Sequence, residues 1–216
     1  MLGIFLDQET TGLDSYKHKL LEIALRVVNL STGHILASYQ SIILQPEAVW
    51  KQSDSSALQV NGFLWDDLQG GKSEKVVSGE IIELFKSLGI IRGKAVFVCQ
   101  NPSFDRAFFS HLIDSSTQEK MLWPYHWLDL ASMYWALEIQ KTISFEMSLP
   151  DEIWLSKDHI AHSLDLPKEE KPHRAMQGVD HLLLCYEHVV GFPSKQTLVK
   201  SPQTMLSTSA FTSRLL

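Results

Sequence analysis

Apolar and polar positions along the chain fall into a series of strand-like and helix-like runs. Residues 2–6 (Leu-Gly-Ile-Phe-Leu) form a short apolar run that stops at acids, as a central strand would. Residues 21–29 and 34–44 are rich in aliphatic and β-branched residues, and Ser31-Thr32-Gly33 between them is a turn signal. They predict a strand, a hairpin turn and a third strand closed by Pro46. Ser56 to Gly71 reads as loop and short helix. From Glu74 to Leu88, apolar residues at Val76, Val77, Ile81, Ile82, Leu84, Phe85 and Leu88 have the spacing of an amphipathic helix. Residues 94–99 predict a compact strand; Phe104–Ile113, Leu128–Leu137, Lys157–Leu164 and His173–Val190 predict helices. After Gly191 periodicity fades, so residues 1–191 read as a domain and 192–216 as a flexible tail.

Three strands followed by alternating strands and helices predict an α/β or α+β sandwich, a meander extended by crossover units. A length of 216 residues suits one domain, and 44% hydrophobic with 20% charged residues is ordinary for a soluble globular chain. No apolar run has bilayer-spanning length, and the N-terminus lacks signal-peptide blocks, so a cytoplasmic location is the expectation. Cys99 and Cys185 both sit in apolar runs and read as small buried hydrophobes. The net charge of −6 argues against a broad basic face for nucleic acid. It leaves room for an enzyme whose bound cations offset its own acids.

The candidate chemistry begins at "FLDQETTGLD", residues 5–14. Asp7 and Glu9 are two apart, so on a strand they share a face while Gln8 points away. Two converging carboxylates repel unless a cation lies between them, and oxygen ligands of this kind suit Mg²⁺ or Mn²⁺. The alternative is a polar strand end that starts a turn. Asp105 follows a predicted strand and the turn Gln100-Asn101-Pro102-Ser103, at an edge where α/β sheets gather ligand sites. It also suits the positive N-terminus of its own helix. His173, in Pro172-His173-Arg174-Ala175, is a candidate general base, though with nine histidines in the chain one near any spot is unremarked by chance.

Taken in order, these pieces resemble the DEDD exonucleases of the histidine type, which include the proofreading (epsilon) subunit of the bacterial replicative polymerase. The first family motif resembles Asp7-x-Glu9-Thr10-Thr11-Gly12, the second Asn101-x-x-Phe104-Asp105, and the third begins like His173-Arg174-Ala175. Leu21-Glu22-Ile23-Ala24 and Asp129 are also similar, and the likeness spans roughly residues 2–190. The resemblance implies an RNase H-like fold whose mixed sheet, an antiparallel meander plus parallel strands, is flanked by helices. It implies a 3′–5′ exonuclease releasing nucleoside 5′-monophosphates from DNA or RNA ends with two divalent ions, Mg²⁺ or Mn²⁺. Asp7, Glu9 and Asp105 would be metal ligands and His173 the base. Thr10 and Leu13 would lie beside the terminal nucleotide, Asn101 would order its loop or touch substrate, and Phe104 would pack beneath the site. The alternative is a catalytically impaired nucleic-acid-binding module of the same fold.

The pattern breaks at Gly178, where the family carries its last metal-binding acid. Asp180, two residues on, is turned by about 200° on a regular helix and would aim elsewhere. A helix starting after Gly178 would instead let Asp180 cap it and swing toward the site. Lys17, Lys19, Arg106, Lys168, Lys171 and Arg174 flank the motifs and either steer a phosphate backbone or form solvated loops. Of the six tryptophans, one or two are candidates to stack on bases; burial suits most. Gln196-Thr197-Leu198 and Gln203-Thr204-Met205-Leu206 faintly resemble clamp-binding peptides, so a polymerase or clamp partner at the tail is a further expectation. A tail that stays unstructured is the alternative.

Overall fold

The computed structural model describes residues 1–145, 148 and 151–196. Its strands are β1 (Leu2–Thr10), β2 (Leu20–Asn29), β3 (His34–Ile42), β4 (Ala95–Cys99) and β5 (Trp127–Asp129). The helices before β5 are α1 (Glu47–Trp50), α2 (Ser55–Asn61), α3 (Glu74–Ser87), α4 (Pro102–Leu112) and α5 (Ser115–Lys120). After it come α6 (Leu130–Ser144), α7 (Lys157–Ser163), α8 (Ala175–Val189) and α9 (Pro193–Gln196). The strands form one sheet in the order β3-β2-β1-β4-β5. The first three are an antiparallel meander, and β4 and β5 add in parallel. This is the mixed, helix-flanked sheet of the RNase H-like fold.

Strand alternation divides the core. Ile4 and Leu6 of β1 face one layer, with Phe85 of α3, Phe97 of β4 and Phe109 of α4. Phe5 faces the other, with Val98, Val179, Cys185 and Tyr186, so α8 lies on that side. Asp7 and Glu9 continue the odd-numbered face of β1 and therefore point toward α8. Cys99 and Cys185 are buried and free. No helix among the described residues is long and apolar enough to cross a membrane.

Three expectations change. The first strand does not stop at the acids: Gln8 pairs with Ile23 and Glu9 with Glu22 across the β1–β2 ladder, so the acids lie within a central strand. The helix predicted from Leu128 begins at Leu130, because Trp127–Asp129 is drawn into the sheet beside Phe97–Cys99. The Asp129 carboxylate then caps α6, accepting from the backbone N–H of Ala131 at 3.1 Å and of Ser132 at 3.2 Å. Beyond Gly191, Phe192 is buried with its ring 5.7 Å from Tyr186, and Pro193–Gln196 make a helical turn. The clamp-like peptides lie outside the described residues apart from Gln196.

Aromatic packing fixes the β4–β5 edge. The Phe97 ring is fully buried, stacked on Trp127 at 4.0 Å and edge-on to Phe109 at 5.5 Å. Truncation leaves a cavity that rigid strands on both sides cannot fill. Phe97→Ala is expected to lower the unfolding free energy by about 3–5 kcal/mol, measured by urea denaturation.

Candidate active site

The site grows from β1. Its central place in the sheet leaves Glu9 buried and Asp7 partly buried. Asp105 lies one turn into α4 and is almost fully buried. The turn that aims it depends on Asn101, which takes the left-handed conformation (φ 57°) that asparagine tolerates. The Asn101 backbone N–H is held by the Asp129 carboxylate at 3.1 Å. Asp129 thus works as an anchor of the second motif.

His173 comes from the chain entering α8. Its backbone N–H donates to the Val60 carbonyl at 3.0 Å, and its Nδ1 faces Glu169 Oε1 at 3.8 Å. The start of α8 is set by Glu22, a buried acid on β2. Its carboxylate accepts the orphan N–H of Ala175 at 2.8 Å and the Gln40 side-chain amide at 2.7 Å. A negative group at a helix N-terminus is favourable there. An acid amid the apolar run Leu21-Glu22-Ile23 was the available signal for that role. Arg174 is engaged structurally: it donates to the Asn61 carbonyl at 2.9 Å and lies 3.9 Å above the Phe63 ring.

Two residues without a place in the motifs complete the cluster. Lys157, the first residue of α7, is positioned by the Ser156 cap, whose hydroxyl accepts from the His159 N–H at 3.3 Å. Its ammonium reaches Glu169 Oε2 at 2.9 Å, Asp7 Oδ2 at 3.7 Å and the Gly178 carbonyl at 3.3 Å. Both side chains are largely buried, with 12% of Lys157 and 3% of Glu169 exposed. Asp7, Glu9, Lys157, Glu169 and His173 line one open cleft of about 340 Å³, with Gln8 and Gln100 on its wall. Gln8 therefore borders the cleft despite its place in the strand, and its buried amide meets no partner among the described residues.

Gly178 is the pivot. α8 is already helical at Ala175, so Asp180 is not its cap. Asp180 points to the surface and pairs with Arg26, through Nε and, at 2.8 Å, Nη2. A Cβ at position 178 would lie 1.5 Å from Asp7 Oδ2 and 3.1 Å from Glu169 Oε1. A side chain at 178 would therefore require the Asp7 carboxylate to shift, and the further acid near Asp7 comes instead from Glu169.

The electrostatics follow from this crowding. Burial, then the charges of Glu169 against the relief from Lys157, leaves the Asp7 carboxyl pushed up to about 6. Glu9 is pushed up to about 8, by burial and then by Asp7, Glu22 and Glu169. Burial and then Asp7 raise Asp105 well above the usual carboxylate range. Burial opposes the Lys157 charge, but Asp7, Glu169 and Asp105 outweigh it and hold its pKa above the ordinary value. Glu169 Oε1 also has no hydrogen-bond partner among the described residues. Clustered oxygens that resist ionisation for want of positive charge suit a hard divalent cation. Among the described residues, the one grouping of three such side chains whose ligand atoms lie within 4.8 Å of one another is Asp158, Glu169 and His181.

The remaining predicted residues are dispersed around this cluster. Thr10 is buried and its hydroxyl donates to the Gly12 carbonyl at 2.8 Å, shaping the turn after β1. Leu13 is 80% exposed. Asn101 is exposed, its side-chain oxygen accepting from the Ser103 hydroxyl at 2.6 Å. Phe104 packs partly buried against the α3–α4 layer, its ring 4.9 Å from Phe108.

No family model matches the sequence, and no curated protein matches it. Solved structures do resemble it. Cell-death related nuclease 4 (CRN-4) superposes with a TM-score of 0.64 at 13% identity, over 88% of this chain and 63% of that one. Exonuclease I of E. coli, in a zinc-bound complex with single-stranded DNA, gives 0.66 at 13% identity, over 91% and 41%. A 3′-exonuclease bound at a histone mRNA stem-loop gives 0.61 at 13% identity, over 89% and 65%. At such identity the likeness is one of fold, and the chain spans less than two thirds of each of these proteins' own length.

Two outcomes are expected. Gly178→Ala should force Asp7 from its position and weaken Mn²⁺ binding by at least about tenfold in calorimetry, with Gly79→Ala at an exposed position of α3 as control. For the pH dependence, Asp7 and Glu9 hold protons in the folded, metal-free protein that the unfolded chain has already released. Folding therefore binds protons between the ordinary carboxylate range and about 8, and stability falls as pH rises through that window. Protein stripped with EDTA should melt at a lower temperature at pH 8 than at pH 5.5, and Mn²⁺ should shrink the difference.

Proposed function

We propose that the chain is a divalent-cation-dependent 3′–5′ exonuclease acting on single-stranded or 3′-ended DNA or RNA. The observation that carries this reading is that Asp7, Glu9 and His173 line one cleft, with Asp105 buried near enough to Asp7 and Glu9 to feel their charge, although Asp105 and His173 lie far from β1 in sequence. The neighbours that share the fold support it, since they include an exonuclease bound to single-stranded DNA and a 3′-exonuclease bound to RNA.

Asp7, Glu9 and Asp105 would hold Mg²⁺ or Mn²⁺, which neutralises charge on the scissile phosphate and on the leaving oxygen. His173 takes the proton from the attacking water. Glu169 Oε1, 3.8 Å from Nδ1 and so beyond hydrogen-bond reach, would favour the resulting imidazolium through its charge. The tether from His173 to the Val60 carbonyl and the Glu22 cap on α8 hold the base in register with the acids. The exposed Leu13 side chain offers an apolar surface for the terminal base, with Thr10 shaping the turn that presents it.

A second reading, a binding module without turnover, draws on the Lys157 ammonium lodged among the acids and on the acid missing at Gly178. One assay separates the two. Wild-type protein with Mn²⁺ should shorten a 5′-labelled single-stranded oligonucleotide from its 3′ end, and Asp7→Ala and Asp105→Asn should abolish shortening. His173→Gln should slow it by about 10²–10⁴-fold, the usual range for loss of a general base. Binding without shortening by the wild type would establish the second reading instead.

A further inference from the structure

We infer that the Lys157 ammonium permanently takes the place of one of the two cations that the family resemblance implies, so that the site accepts a single divalent ion, held by Asp7, Glu9 and Asp105. This rests on the reading of those acids as a metal site. Three observations carry it.

First, Lys157 touches the groups that a second ion would need. Its Nζ lies 2.9 Å from Glu169 Oε2, 3.7 Å from Asp7 Oδ2 and 3.3 Å from the Gly178 carbonyl. Second, the position at which the resemblance puts the fourth acid is sealed. A Cβ at 178 would fall 1.5 Å from Asp7 Oδ2, so no carboxylate can be carried there without displacing a metal-site acid. Third, the replacement is reciprocal. The negative charge absent from 178 is supplied by Glu169, and the same carboxylate is tied to the lysine that approaches the 178 carbonyl.

An ammonium with 12% of its side chain exposed is weakly screened. A divalent ion placed between Asp7 and Glu169 would sit against a like charge at contact distance, and the lysine would have to leave a pocket that holds it on three sides. Lys157 is attached to the first turn of α7, which is capped by Ser156 and packs with Ile160 and Ala161 in the α8-side core. It is therefore presented to the acids by a fixed element. In this account Lys157 is a positioning residue. It keeps Asp7 and Glu169 in place without a second metal and contributes the positive charge that the second metal would have brought.

The test is a count of bound ions. EDTA-stripped full-length protein is titrated with Mn²⁺, and the free ion is followed by electron paramagnetic resonance. Wild type and the charge-keeping Lys157→Arg should each bind one ion. Lys157→Met should bind a second, at least about tenfold more tightly than wild type does, because the competing charge is gone. Two ions of comparable affinity in wild type overturn the inference, as does a Lys157→Met protein that folds but gains no site. Should Lys157→Met fail to fold, the wild-type count alone decides. The oligonucleotide assay run on the same samples separates the two claims. One ion without shortening contradicts the exonuclease reading and leaves this inference standing. Two ions with shortening does the reverse, and no bound ion contradicts both.

Discussion

Everything at this site depends on the repulsion among acids brought together inside the protein. Asp7, Glu9 and Asp105 are raised by burial and by neighbouring acids, and Glu169 and Glu22 add to the charge facing Glu9. Such a cluster is tolerable only with positive charge or hydrogen-bond donors directed at it. The fold supplies these from separate elements. Lys157 comes from α7, the Ala175 N–H and the dipole of α8 answer Glu22, and the remainder suits a cation from solution. The central strand is what makes the problem acute. An edge strand would leave the same acids hydrated and without chemical use.

The same arrangement links packing to chemistry. α8 lies against β1 and β2 through Val179, Cys185 and Tyr186, and its first turn carries the closed position at Gly178. Glu22 sets where that helix starts, which in turn sets how close the 178 backbone comes to Asp7. His173 enters just before it, tied to the α2 end through Val60. His173, Asp7, Asp105 and Lys157 are therefore held by contacts between regular elements, and Asp7, Lys157 and His173 border one open cleft.

Much of the fold was legible because local pattern and global structure agree. The apolar runs of β2, β3 and β4 and the stripe on α3 match the elements found, apart from small shifts at the ends. β5 was not legible. Three residues carry too little periodicity, and Trp127 is in the sheet because Phe97 stacks on it. Asp7 and Glu9 could be paired from their spacing, and Asp105 and His173 from their motifs. Asp180 was rightly suspect, since a helix that begins at Ala175 turns it to Arg26. Lys157 and Glu169 were beyond reach. One starts a short helix and the other sits in a loop rich in lysine and glutamate, where a charge usually signals solvent. Only tertiary packing buries them.

The central claim is that this cluster hydrolyses phosphodiesters from a 3′ end. The most direct measurement is mass spectrometry of the small products released from a single-stranded oligonucleotide with a free 3′-hydroxyl, in Mn²⁺. The account predicts nucleoside 5′-monophosphates, released in order from the 3′ terminus. Internal fragments, nucleoside 3′-monophosphates, or no product from a protein that binds Mn²⁺ and the oligonucleotide would contradict it.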